Sequence, residues 1–176
     1  LASYSSNNSL RLDSSTPAGT LTFALPAPAN ILYLLITSGN GPSIINATVN
    51  FSDGTNQTFT GLTISDWYGG NNYAIQGIGR ISRSTNGLEQ NSTNPRLYQI
   101  PLSISSSNQS KNITSVIITK TSTDTAIPNV FAISADVYNS CEAAKDITAS
   151  TTGNTAALSW TAPTNAPSAG YQYYYT

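Results

Sequence analysis

The chain reads as all-β, a β-sandwich or jelly roll followed by the opening strands of a partial Ig-like β-sandwich. Three observations predict this. Alternating apolar and polar segments rich in β-branched and aromatic residues run through almost the whole length. Turn residues interrupt them at short, regular intervals. No stretch carries a sustained period near 3.6 that would mark a helix.

The segments can be justified in order. Leu21-Thr22-Phe23-Ala24-Leu25 alternates apolar with small or polar residues. Ile31-Leu32-Tyr33-Leu34-Leu35-Ile36 is an unbroken apolar run, the pattern of a central strand covered on both faces. Ile45 to Phe51 turns at Ser52-Asp53-Gly54-Thr55 into Gln57-Thr58-Phe59-Thr60, and an Asp-Gly pair between alternating segments is a strong hairpin signal. Further strands are expected at Gly79–Ser82, Leu97–Ser103, Ile113–Lys120 and Val130–Tyr138. The polar, Asn-rich stretch from Ser82 to Pro95 reads as a long loop, the kind of segment on which a rigid sandwich carries binding residues. Beyond it, Asp146-Ile147-Thr148, Ala157 to Pro163 and Gly170 to Tyr174 read as strands of a second unit. The boundaries are expected at 1–139 and 140–176. The joint from Tyr138 to Lys145 lacks a Gly/Ser or Pro-rich tract and is expected to be stiff.

Composition sets limits on chemistry. Charged residues make up 9% of the chain, against about 25% in an average domain, and the net charge is −1. That supplies no field for nucleic acid or an anionic membrane, so neither partner is expected. No apolar stretch approaches the ~20 residues of a membrane-spanning helix, and no membrane insertion is expected. The single cysteine, Cys141, has no partner within the chain and no histidine to activate it. With no His at all, Ser-His-Asp, Cys-His and His-zinc chemistries are excluded. Carboxylates remain at Asp13, Asp53, Asp66, Glu89, Asp124 and Asp136 in the first unit. Each has a plain role in a turn, a loop or a strand end, and a lone Asp66 cannot supply both groups of a glycosidase pair. The chain is expected not to be an enzyme, with no catalytic residues and no cofactor.

Binding has better material. The apolar face of a pyranose stacks on an aromatic ring while amides, acids and guanidiniums hydrogen-bond its hydroxyls. Asp66-Trp67-Tyr68-Gly69-Gly70-Asn71-Asn72-Tyr73 gathers three aromatics, an acid and two amides around a glycine pair. Packing of Trp67 under the sandwich end is the stronger expectation for that ring, whereas Tyr68 and Tyr73 are open to either role. Arg80, Arg83 and Arg96 flank the polar loop. They would either read anionic sugars or, as favoured for Arg80 and Arg96, pin a loop by pairing with Asp66 or Glu89. The ligand-binding candidates are therefore Asp66, Trp67, Tyr68, Asn71, Asn72, Tyr73, Arg80, Arg83 and Arg96. Asn-x-Ser/Thr triplets recur, as at Asn46 and Asn56, but a chain this rich in Asn, Ser and Thr generates them by chance.

Val49 to Thr55, Ile64 to Gly70, Gly77-Ile78-Gly79-Arg80, Pro95 to Tyr98 and Ile113 to Ile118 resemble a galactose-binding-like jelly-roll module of Bacteroidetes (flavobacterial) secreted multi-domain proteins. The second unit, with Trp160 and Tyr171 as its core aromatics, resembles the start of a fibronectin type III domain. Such a domain needs seven strands and roughly a hundred residues, so the chain is expected to be a piece of a longer protein. The resemblance implies a jelly roll over 1–139, localisation outside the cell or on its surface, export by type IX secretion, and neighbouring domains of the same chain as partners. Modules of this type often hold a structural calcium, for which Asp13, Asp53 and Asp136 would be the donors, although no Asp-x-Asp-x-Asp spacing supports them. Asp124-Thr125-Ala126 fits the O-glycosylation pattern of these exported proteins, with Thr125 as acceptor.

The expected function is a non-catalytic module of a large secreted or surface protein that binds a polysaccharide or cell-surface glycan, or mediates adhesion. The alternatives are a spacer that displays a distal domain of an adhesin and an accessory module of an exported polysaccharide-degrading enzyme.

Overall fold

The computed structural model describes residues 7–82, 84–138 and 144–162. The chain divides into two compact units, 1–138 and 139–176. Among the described residues there is no helix, and every strand pairing is antiparallel apart from one isolated bridge.

The first unit contains β1 (Leu10–Arg11), β2 (Ala18–Ala27), β3 (Ala29–Gly39), β4 (Ser43–Phe51), β5 (Asn56–Ile64), β6 (Ile75–Gln76), β7 (Arg80–Ile81), β8 (Leu88–Glu89), β9 (Arg96–Ser103), β10 (Ile113–Lys120) and β11 (Ile127–Val137). Two main sheets form, one ordered β1-β11-β3-β9-β6 and the other β2-β10-β4-β5, beside the two-stranded β7-β8. The chain crosses between them at Pro28, directly between β2 and β3. Pro26 is tolerated because β2 is an edge strand, where a missing N–H breaks no ladder.

The two sheets share one core, which makes the unit a β-sandwich. β4 alternates strictly, with Ser43, Ile45, Ala47, Val49 and Phe51 buried and the residues between them not, the period of two that one buried face demands. Ile113, Val116 and Ile118 of β10 and Ile64 of β5 lie in the same cluster as Leu32, Leu34 and Ile36 of β3, Leu102 of β9 and Val130 of β11. β3 takes the central place expected of its apolar run, between β11 and β9. At the turn after β4, Asp53 Oδ1 accepts the N–H (3.0 Å) and hydroxyl (2.6 Å) of Thr55, and Gly54 stands at φ +82°, a conformation that suits glycine.

The stretch from Ser82 to Pro95 is not a simple loop. It contains β8, which pairs with β7 through Arg80↔Glu89 and Ile81↔Leu88. The tight turn is made by Asn86, at φ +53°, and by hydrogen bonds from Ser82 N to Gly87 O and from Asn86 N to Ser82 O, both 2.9 Å. Asn86-Gly87 is the dipeptide that favours such turns.

In the second unit, β12 (Lys145–Thr152) and β13 (Thr155–Thr161) form a hairpin turning at Gly153, φ +59°. Ile147, Leu158 and Trp160 are exposed at 66%, 48% and 39%. Cys141, the joint residues 139–143, and the segment from Pro163 through Tyr171 to Thr176 lie outside the described residues.

Candidate functional site

The residues from Ser65 to Ala74 run across one end of the first sheet and are stitched there by backbone bonds. Ser38 N donates to Ser65 O (3.1 Å), Trp67 N to Ser38 O (2.7 Å) and Arg96 N to Trp67 O (2.8 Å). The segment is therefore clamped between the end of β3 and the start of β9. Asp66 serves this clamp with its carboxylate: Oδ2 accepts the N–H of Gly41 at 2.6 Å and Oδ1 that of Tyr68 at 2.8 Å. Both oxygens are thus engaged in holding loops, and neither Arg80 nor Arg96 pairs with Asp66 among the described residues.

Gly70 is required by space. A Cβ there would lie 2.2 Å from the Tyr98 hydroxyl oxygen and 2.9 Å from Ser65 Cβ. That hydroxyl donates to Asp66 O at 2.6 Å, and burial pushes it above the ordinary tyrosine range, with Arg96 pulling the other way. Arg96 closes the loop from the far side. Its Nη1 donates to Gly70 O, its Nε to Thr93 O at 3.0 Å, and its guanidinium carbon lies 4.9 Å from the centre of the Tyr73 ring. The reading of Arg96 as a loop pin therefore describes what it does, with carbonyls and a ring as partners in place of a carboxylate.

What faces outward is an aromatic corner. Trp67 is half-buried and Tyr68 is 62% exposed. Their rings meet edge to face, with centroids 5.5 Å apart and planes at 74°, a favoured geometry for aromatic pairs. Arg80 lies over the Trp67 ring, its guanidinium carbon 4.6 Å from the centre, while its Nε binds Glu89 Oε2. Gly69 N donates to Oδ1 of the buried Asn94 at 3.0 Å, which fixes the backbone just after Tyr68. A cavity of about 120 Å³ is lined by Trp67, Tyr68, Arg80, Glu89, Gln90, Asn91, Asn94 and Pro95. It offers one aromatic face beside a guanidinium, a carboxylate and amides, the combination that a sugar ring needs.

Of the residues singled out in the sequence, Trp67, Tyr68 and Arg80 come together at this cavity. Tyr73, 41% exposed, stands nearby under Arg96. Asn71 and Asn72 are exposed, Asn72 in the left-handed region at φ +58°, and neither lines the cavity. Arg83 lies outside the described residues. Glu89, Gln90, Asn91 and Asn94 join the site without having been picked out for it. The turn signal Asn86-Gly87 was the clue, since a hairpin there folds the polar stretch back against Trp67.

A larger cleft of about 470 Å³ opens between β2 and β11, lined by Leu10, Leu21, Phe23, Val130, Phe131 and Ile133 with Asn7, Asn8 and Ser9 at one side. Its walls are mostly apolar, with Phe23 and Phe131 among the aliphatic side chains, and among the described residues no charged one lines it.

The residues proposed for calcium are dispersed. Asp13 receives Arg11, the hydroxyl and N–H of Ser15 and the N–H of Thr16. Asp53 pairs with Lys111 at 2.8 Å, and Asp136 accepts Asn30 Nδ2 at 3.3 Å. Among the described residues no three acidic or cysteine side chains gather as a metal site would require. Thr125 is exposed on the loop between β10 and β11, flanked by Asp124 and the buried Ala126. No helix among the described residues is long and apolar enough to cross a membrane. Compared with family models, curated proteins and solved structures, the chain matches none.

Proposed function

We propose that the first unit is a non-catalytic, jelly-roll glycan-binding module of a secreted or cell-surface bacterial protein. One observation carries the binding reading: Tyr68 is 62% exposed yet held edge-on against Trp67, beside a cavity that also presents Arg80, Glu89 and Asn94. An exposed tyrosine with a fixed ring loses little entropy on stacking. Support for the jelly roll comes from the strand order, since the chain passes between β1-β11-β3-β9 and β2-β10-β4-β5 at each of these steps except the β4–β5 hairpin, as in two interlocked Greek keys. The lack of any histidine and the engagement of both Asp66 oxygens in loop contacts favour binding over catalysis. Neighbouring domains of the same protein, resembling the fibronectin type III type, would carry the module at the cell surface.

The test is a screen of the 176-residue chain against a glycan array and insoluble polysaccharides, beside Tyr68→Ala. Saturable binding lost in the variant supports the reading. A folded sample that binds no glycan overturns it and favours a spacer or display segment of an adhesin.

A further inference from the structure

The aromatic cavity does not end at Gln90 and Asn91. The same two residues line a second cavity of about 380 Å³, completed by Gly77, Ile78, Gly79, Leu88 and Ser92. The chemistry changes between the two. The first offers a ring, a guanidinium, a carboxylate and amides. The second has two aliphatic side chains, amides and backbone, with no charged group in its lining.

This second cavity is built by close backbone contact. Gly77 stands at φ +68°, and a Cβ there would lie 2.4 Å from Ser92 O. At Gly79, φ +69°, a Cβ would lie 3.1 Å from Glu89 O. The Arg80–Glu89 pair ties the two sides of the β7–β8 hairpin. Ile78 and Leu88 nevertheless remain 58% and 59% exposed, an unfavourable display for two aliphatic side chains on so small a hairpin. A hydroxyl gains nothing from such a wall, whereas a methyl group does.

The polar rim narrows the ligand further. Asn91 Oδ1 accepts the Thr93 N–H (2.9 Å), the Thr93 hydroxyl (3.0 Å) and the Asn94 N–H (2.9 Å), which fixes the side chain and leaves its Nδ2 as the available donor. The Gln90 amide has no hydrogen bond to another described residue. A substituent that puts a methyl on an aliphatic wall, and a carbonyl and an N–H on neighbouring amides, satisfies both surfaces. An acetamido group has those parts.

We propose that the Ile78–Leu88 cavity is an acetamido subsite, and that the glycan taken by this module carries 2-acetamido-2-deoxy sugars. The proposal rests on the glycan reading above. A sugar stacked on the exposed Tyr68 ring would place its acetamido arm across Gln90 and Asn91, with the methyl against Ile78 and Leu88. The absence of charge in the second lining selects a neutral substituent over a free amine or a carboxylate, because an unpaired charge there would lose its hydration without compensation.

Two oligosaccharides that share one β-1,4 backbone test this by calorimetry on the 176-residue chain. N-acetylchitohexaose carries an acetamido group at C2 where cellohexaose carries a hydroxyl. We expect the acetylated oligomer to bind at least tenfold more tightly. Ile78→Ser with Leu88→Ser should abolish that preference and leave the weaker cellohexaose affinity unchanged, and Tyr68→Ala should weaken both ligands. Unaltered thermal midpoints show that the variants remain folded. Equal affinity for the two oligomers, or a preference that survives in the Ile78/Leu88 variant, overturns the acetamido subsite while leaving glycan binding intact. Tighter binding of a 6-deoxyhexose glycan would assign the wall to a bare methyl and overturn the amide half of the proposal. Binding to no glycan at all removes the parent reading and this inference together.

Discussion

Arg80 lies with its guanidinium carbon 4.6 Å from the centre of the Trp67 ring while its Nε is bonded to Glu89 on the facing strand. A single side chain thus joins the β7–β8 hairpin to the aromatic corner. Both members of the ion pair are about half-exposed, so the pair contributes at most about 1 kcal/mol, and the ring contact adds a similar ~0.5–1 kcal/mol. The joint is strong enough to position the hairpin and weak enough to open locally.

Arg80→Ala should therefore lower global stability by no more than about 1–2 kcal/mol, yet raise amide exchange across residues 77–91 and weaken glycan binding several-fold. Hydrogen exchange resolved by segment checks this. Arg80→Lys should not restore the wild-type pattern, because a point ammonium cannot both cover the ring and keep the planar contact to Glu89. Uniform protection in Arg80→Ala would show that the hairpin is held by its backbone contacts alone.

Gly70→Ala is expected to be the costliest single-methyl change at the site. The added Cβ meets the Tyr98 hydroxyl at 2.2 Å and Ser65 Cβ at 2.9 Å, and the hydroxyl cannot retreat without losing its 2.6 Å bond to Asp66 O. Overpacking of this kind costs about 1–3 kcal/mol. Tyr98→Phe in the same chain should recover part of the loss, since it removes the nearest atom. A chemical-denaturation double-mutant cycle reads the coupling, and strict additivity of the two changes would refute the proposed clash.

The sandwich was legible because its strands obey period two where one face is buried. β4 and β10 bury alternate residues along nearly their whole length, and the Asp53-Gly54 turn set their neighbour. Trp67 and Tyr68 were visible as aromatics, but their division of roles was not. Ring orientation depends on Arg80, Glu89 and Asn94, which approach from a different part of the chain. A strand was expected at Gly79–Ser82, where β7 lies, but the hairpin around Asn86-Gly87 was concealed because its partner β8 is two residues long, too short for periodicity to register. The carboxylates proposed for calcium could be counted in sequence but not placed, and each has its own local partners.

Lys120 is buried at the end of β10, beside the start of β4. Its side chain is 2% exposed, and its ammonium donates to Ser122 O at 2.6 Å and Asp124 O at 2.8 Å while lying 3.1 Å from Asp124 Oδ1. Lys120→Met should destabilise the unit by about 1–3 kcal/mol, the cost of leaving those carbonyls unpaired. Asp124→Asn should cost much less, because Asp124 is nearly half-exposed and the backbone oxygens remain in place. Denaturation midpoints of the two variants give the comparison, and equal losses would put the ammonium's main contact on the carboxylate.

The acid limb of stability should come from three surface carboxylates. Asp13 is held below the ordinary carboxylate range first by the Ser15 hydroxyl, then by Thr16 N–H and Arg11. Asp53 is held down first by Lys111 and then by Thr55, and Asp124 first by Lys120. A carboxylate whose pKa is depressed by folding stabilises in full above its unfolded value and loses that stabilisation as pH falls through the folded one. With no histidine to titrate, the thermal midpoint should be level between about pH 5 and 8 and should fall below about pH 4, where unfolded carboxylates take up protons first. At the other extreme, burial of Tyr98 raises its pKa. The stabilisation it brings is complete below the ordinary tyrosine value and declines above about pH 10. Asp53→Asn should lower the midpoint at pH 7 and shrink the drop between pH 5 and pH 3, leaving the alkaline limb unchanged. Calorimetric scans at about pH 3, 5, 7, 10 and 11 test both limbs, and an acid drop undiminished in Asp53→Asn would remove the Lys111–Asp53 pair from the account.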